Sequence, residues 1–167
     1  MPVVSLERKE HRIGGAGNVA LNLASLGARV ATFSVIGTDE EGRMLEGLLR
    51  TEKIDTGYLL KSNTRITTSK ARIMGRNQQM LRLDSETTKD LSPEEEDQLL
   101  SQVEKYLTEE KPQVMVFEDY NKGVLTTRVI REIIALCEKS GVVTAVDPKR
   151  KNFFSYQGVT IFKPNLK

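Results

Sequence analysis

Cysteine, histidine and tryptophan are nearly missing from this sequence: 167 residues contain one Cys, one His and no Trp. A single cysteine, Cys137, excludes an internal disulfide and a cysteine-based zinc cluster. Its neighbours Ile133, Ile134 and Leu136 make a buried spectator thiol the expected state. His11 alone gives a Ser-His-Asp triad or a His-rich metal site little to build on. Charge of one sign is also lacking. Lys and Arg number 25 against 23 Asp and Glu, a formal net charge of +2. The two signs are interspersed, so nothing points to nucleic acid or another polyanion. No apolar run approaches membrane-spanning length and the N-terminus has no signal-peptide core. The chain reads as a cytoplasmic protein with no membrane partner, long enough for one domain with a real core.

The rest of the chain is arranged around Gly14-Gly15-Ala16-Gly17-Asn18 and the segment that follows it. Val19, Leu23 and Leu26 recur at helical spacing with Ala20 and Ala24 beside them, and Gly27 suits the left-handed residue that closes a helix. Paired glycines let a ligand approach the backbone, and a helix start offers unpaired N–H groups to phosphate or hydroxyl oxygens. The Asn18 amide can donate to one hydroxyl and accept from another. Gly15-x-Gly17-x-x-Ala20 also fits a dinucleotide fingerprint, but the charged run from Glu7 to Arg12 stands where that motif needs a buried strand. A purely structural glycine turn is the other alternative.

Downstream, Arg29 to Ile36 reads as a strand ending at Gly37. Thr38-Asp39-Glu40-Glu41 reads as a capping box, with Thr38 at the cap, opening a helix through Met44, Leu45, Leu48 and Leu49. From Thr64 to Asp84 the alternation of Thr, Ile and polar residues predicts a hairpin that turns at Gly75 to Gln79. With a short strand at Pro2 to Leu6 it would form a small antiparallel lid. Ser92-Pro93-Glu94-Glu95 is a second capping box, and its helix faces inward through Leu99, Val103, Tyr106 and Leu107. The strand Val114 to Phe117, a helix from Thr126 to Lys139, a strand Val142 to Val146 and a last strand Val159 to Phe162 complete a parallel crossover pattern.

Ligands of open parallel sheets bind beyond the carboxyl ends of the strands. Three strands here end in polar clusters, Glu118-Asp119-Tyr120-Asn121-Lys122, Asp147-Pro148-Lys149 and Lys163-Pro164-Asn165. One shared polar site is expected, with lysines suited to a phosphorylated ligand.

The glycine–asparagine loop resembles the first signature of the ribokinase-like (PfkB-type) carbohydrate kinases. Arg76-Asn77-Gln78-Gln79, Asp119-Tyr120-x-Lys122-Gly123, Asp147-Pro148-Lys149 and Pro164-Asn165-Leu166 resemble one branch of that family. That branch phosphorylates C1 of D-glycero-D-manno-heptose 7-phosphate as the kinase half of ADP-heptose synthase. The five motifs occur in order over nearly the whole chain. The resemblance implies an α/β fold, a mostly parallel sheet flanked by helices with a small antiparallel lid, in one partial domain whose lid segments are about 1–13 and 58–86. It implies an acceptor site that uses Gly14, Gly15, Asn18, Arg76, Asn77, Gln78, Asp119, Lys122, Asp147 and Lys149. Asn165 would begin the Asn-x-x-Glu motif that organises magnesium and ATP phosphates.

The family's Gly-Ala-Gly-Asp segment, with its general-base aspartate and backbone anion hole, does not occur among these residues. Lys167 falls one residue before the glutamate of Asn-x-x-Glu, and the family's first strand is missing before Pro2. An internal fragment, truncated at both ends, inactive alone and self-associating into a homo-oligomer, is the expectation. Two alternatives stay open: another ribokinase-like sugar or sugar-phosphate kinase, and a non-catalytic sugar-binding remnant.

Overall fold

The computed structural model describes residues 5–75 and 78–165. In chain order the elements are α1 (Ala16–Ser25), β1 (Ser34–Gly37), α2 (Glu40–Thr51), β2 (Leu59–Ser62), β3 (Ser69–Gly75), β4 (Gln78–Ser85), α3 (Pro93–Glu109), β5 (Val114–Glu118), α4 (Thr127–Lys139), β6 (Val143–Asp147) and β7 (Ile161–Phe162). A 3-10 turn, Arg150–Ser155, joins β6 to the segment leading into β7. Strands β1 and β2 pair in parallel, β5, β6 and β7 form a second parallel group in that order, and β3 and β4 are an antiparallel hairpin. This is the alternating α/β architecture that the sequence predicts, with its parallel ladder in two pieces.

Two clusters hold it together. One gathers Ala20 of α1, Ile36, Leu49, Ile54 and Leu59, so the glycine helix packs on α2 and the β1–β2 pair. The larger one joins α3 and α4 to the inner face of β5 and β6 through Leu99, Val103, Phe117, Ile130, Ile133 and Val146. Cys137 is buried there, and desolvation raises its thiol to about 11, as suits a spectator.

Helix ends follow local chemistry, with one correction. Ser92 and Glu95 form the reciprocal capping box, Pro93 follows the cap, and the Thr126 hydroxyl accepts from Val129 N. For α2 the cap is Asp39, not Thr38: Asp39 Oδ1 accepts from Gly42 N at 2.8 Å. A carboxylate wins because its two oxygens serve three donors. Oδ1 also takes the Thr67 hydroxyl at 2.6 Å and Oδ2 takes Thr67 N at 2.7 Å. The Thr38 hydroxyl turns to Asn63 Oδ1 instead.

Three further expectations change. The strand expected over 29–36 is regular only at Ser34–Gly37, preceded by a single bridge between Ala31 and Asp55. Of the expected lid strand at Pro2 to Leu6, Ser5 and Leu6 are exposed and unpaired, and the remainder lies outside the described residues. The hairpin runs from Ser69 to Ser85, and Leu59–Ser62, assigned to the lid by its boundaries, pairs in parallel with β1.

Candidate functional site

The parallel register of β5 and β6 places Glu118 opposite Asp147, so two carboxylates stand side by side at the strand ends. Lys163 leaves β7 beside them. Its backbone N donates to Val146 O at 3.0 Å, and its Nζ lies 3.9 Å from Asp147 Oδ2 and 3.1 Å from Asn165 Oδ1. Lys149 Nζ sits 5.6 Å from the centroid of the Tyr120 ring, within cation–π range. The three polar strand ends therefore meet, as the strand-end rule requires.

At this cluster two carboxylates, Glu118 and Asp147, face two lysines, Lys149 and Lys163. Burial pushes the Glu118 carboxyl above its usual range, the neighbouring Asp147 adds to the shift, and Lys149 and Lys163 only partly oppose it. Asp147 Oδ1 is buried with no hydrogen-bond partner among the described residues. An oxygen left in that state costs stability unless something donates to it or coordinates it.

Asp119 has a different occupation. It is 2% exposed, and both oxygens are taken: Oδ1 by Asn121 N at 2.8 Å, Oδ2 by Tyr156 Oη at 2.9 Å and Asn152 Nδ2 at 3.2 Å. Asp119 thus shapes the loop that carries Tyr120 and Lys122 and leaves no oxygen free for a ligand. Burial, then the adjacent carboxylate, drives the Tyr156 phenol well above its ordinary range, so it stays a donor. Gly123 closes the loop with φ +75, and a Cβ there would run into the Lys89 carbonyl. No side chain but hydrogen fits.

Lys122 is held rather than free. Its Nζ lies 2.8 Å from Glu86 Oε2, and its carbonyl accepts from Arg65 Nη2 at 2.6 Å. Arg65 Nη1 also donates to Lys89 O at 2.8 Å, so one guanidinium straps the hairpin's flanking segments to the Asp119–Gly123 loop. Neither Arg65 nor Glu86 stands out in the sequence, because their partners are far along the chain and no local pattern marks them.

The glycine loop belongs to the other cluster. Gly15 caps α1 at φ 56, ψ −136, a backbone region open in practice to glycine, and no side chain caps the helix. A Cβ on Gly17 would approach Ile13 Cγ2 to 2.6 Å. Gly14, Gly15 and Asn18 are exposed, and no described hydrogen bond or ion pair ties them to the strand-end cluster. Gln78 is exposed at the tip of the hairpin, and Arg76 and Asn77 lie outside the described residues.

An α/β domain with parallel strands ending in lysines and carboxylates, and with a separate antiparallel hairpin, has the fold of the ribokinase-like kinases. It superposes on phosphofructokinase-2 from Escherichia coli with a TM-score of 0.66 at 17% identity, covering 96% of this chain and 55% of that one. A ribokinase from Arabidopsis thaliana, solved with ribose and ATP, gives 0.67 at 13% identity, with 97% and 52% covered. The model of the pfkB family carbohydrate kinases matches residues 2–167, and the chain belongs to that family. Among curated relatives, the bifunctional protein HldE of Geobacter sulfurreducens is 38% identical over 165 residues, covering 99% of this chain and 33% of its own length. The HldE protein of Methylobacillus flagellatus is 41% identical, with 99% and 34% covered. The chain spans about a third of the length of these relatives. Among the described residues, no helix is long and apolar enough to cross a membrane.

Proposed function

We propose that the chain carries the acceptor side of a sugar kinase that transfers the γ-phosphate of ATP to C1 of D-glycero-D-manno-heptose 7-phosphate, in ADP-heptose and lipopolysaccharide core synthesis. The observation that carries the reading is the 38–41% identity to HldE proteins over 99% of the chain, together with the ordered heptose-branch motifs. The sugar hydroxyls are assigned to Gly14, Gly15 and Asn18, where exposed backbone and an amide without a described partner are at hand. The sugar phosphate is assigned to the lid tip, Arg76, Asn77 and Gln78, with Lys122 bordering the acceptor. Asp119 serves by holding that border in shape.

Magnesium-ATP, when bound, supplies the phosphoryl group. Magnesium takes one or two protein carboxylates and completes its shell with water and phosphate oxygens. Glu118 and Asp147 fit that requirement, with an orphaned Asp147 oxygen and two lysines close by for phosphate charge. Asn165 lies within reach of the Lys163 ammonium on the same rim. Phosphoryl transfer depends on positioning, on charge stabilisation and on a base for the acceptor proton. The Gly-Ala-Gly-Asp segment that supplies the base and anion hole in the family is not among these 167 residues. The chain alone is therefore expected to bind the sugar phosphate weakly and not to turn it over. ATP consumption by the purified chain that depends on heptose 7-phosphate would overturn that part of the proposal. No turnover with the sugar phosphate bound would support it.

A further inference from the structure

Glu86 lies just beyond β4 and uses one oxygen twice. Its Oε2 is 2.9 Å from Lys70 Nζ in β3 and 2.8 Å from Lys122 Nζ in the loop after β5. Lys70 also reaches Asp84 Oδ2 at 2.8 Å, and Arg82 Nε reaches Asp84 Oδ1 at 2.9 Å. A relay of alternating charges thus runs from the charged face of the hairpin to the acceptor loop. Lys122 and Glu86 keep only 26% and 27% of their side-chain exposure, which makes this pair less screened than the outlying pairs of the surface. Hydrogen bonds from Lys122 and then Lys70 hold the Glu86 carboxyl below its usual range.

The hairpin needs such an anchor. A two-stranded hairpin is marginal by itself, and β4 is exposed along its whole length. The Arg65 strap grips only backbone carbonyls, those of Lys89 and Lys122. The Glu86 pair is different, because it fastens the hairpin to a side chain at the proposed acceptor site.

We propose that Glu86 is a positioning residue that latches the hairpin to the acceptor loop through Lys122, and that phosphate arriving at Lys122 releases the latch. The ammonium can serve the carboxylate or a phosphate, and a phosphate brings more charge and three strong acceptor oxygens. This rests on the reading of Lys122 as bordering the acceptor site.

The test is backbone hydrogen exchange in β3 and β4, with α3 and α4 as the internal standard, in wild type, Glu86→Gln, Lys122→Gln and the double variant. Each single variant is expected to speed hairpin exchange roughly threefold to fivefold, with the helices unchanged. The double variant should be no faster than Glu86→Gln alone, because that substitution already removes the bond to Lys122 along with the one to Lys70. Saturating inorganic phosphate should give the same acceleration in wild type and none in Lys122→Gln. Unchanged hairpin exchange in Glu86→Gln, additive effects, or equal acceleration in the helices would overturn the latch. A wild-type hairpin indifferent to phosphate would overturn the release step. Coupling between Glu86 and Lys122 without any sugar-phosphate binding would keep the latch and sink the functional reading instead.

Discussion

Asp119 and Asn18 belong to the same set of family motifs, yet their side chains meet opposite surroundings. Asp119 is enclosed by three donors, and removing its carboxylate strands Asn152, Tyr156 and the Asn121 amide. Asp119→Ala is expected to cost about 3 kcal/mol, read as a lower urea midpoint at constant slope. A stability matching wild type would show that its role is at the ligand instead. The sequence marks Asp119 as polar at a strand end, which is correct, but its partners lie 33 and 37 residues further on. Nothing local encodes that enclosure. Asn18 and its glycines were legible because a helix-opening glycine loop is a local device, carried by backbone geometry alone.

At the scale of elements, the helices and the apolar strands β5 and β6 were read well, whereas β2 was missed and β1 is shorter than expected. The capping serines, threonines and prolines act within three residues, and the stripe of Val129, Ile130, Ile133, Ile134 and Cys137 declares its buried face. Strand β2 is only four residues, Leu59–Ser62, and alternates too briefly to register as a strand. The choice of Asp39 over Thr38 as the cap of α2 turned on Thr67, which is 28 residues away. Burial alone would raise the Asp39 carboxyl, but hydrogen bonds from Thr67 and Gly42 outweigh it and leave it below its ordinary value of 3.8. A carboxyl lowered by folding stabilises the native state above its unfolded value and loses that contribution as pH falls through the lowered one. Asp39→Ala should therefore cost about 2 kcal/mol at neutral pH. The gap to wild type should narrow as pH falls below about 4, measured by urea melts across pH. A gap that stays constant with pH would contradict the assignment.

The whole molecule presents an unusual open surface. Val114, Val116, Val143 and Ile161 are 38–52% exposed, and the parallel register sets them on one face of the β5–β6–β7 group. Parallel sheets are normally covered on both faces. With an apolar face and sheet edges uncovered among the described residues, the chain is expected to self-associate, and a clean monomer in light scattering at micromolar concentration would count against that. The same scale explains why the polar strand ends could be foreseen as one site. In a parallel sheet all carboxyl ends point one way, so three sequence-distant clusters must share a rim. Where the glycine loop and lid tip stand relative to that rim depends on packing across distant segments, which no periodicity encodes.

On the proposed reading, these residues bind a sugar phosphate through the glycine–asparagine loop. Calorimetric titration of the purified chain with D-glycero-D-manno-heptose 7-phosphate, alongside Asn18→Ala, tests it most directly. Wild type should bind saturably and the variant roughly tenfold more weakly at unchanged thermal stability, since the Asn18 side chain is exposed. No binding by a chain that circular dichroism shows to be folded, or equal binding by both proteins, would contradict it.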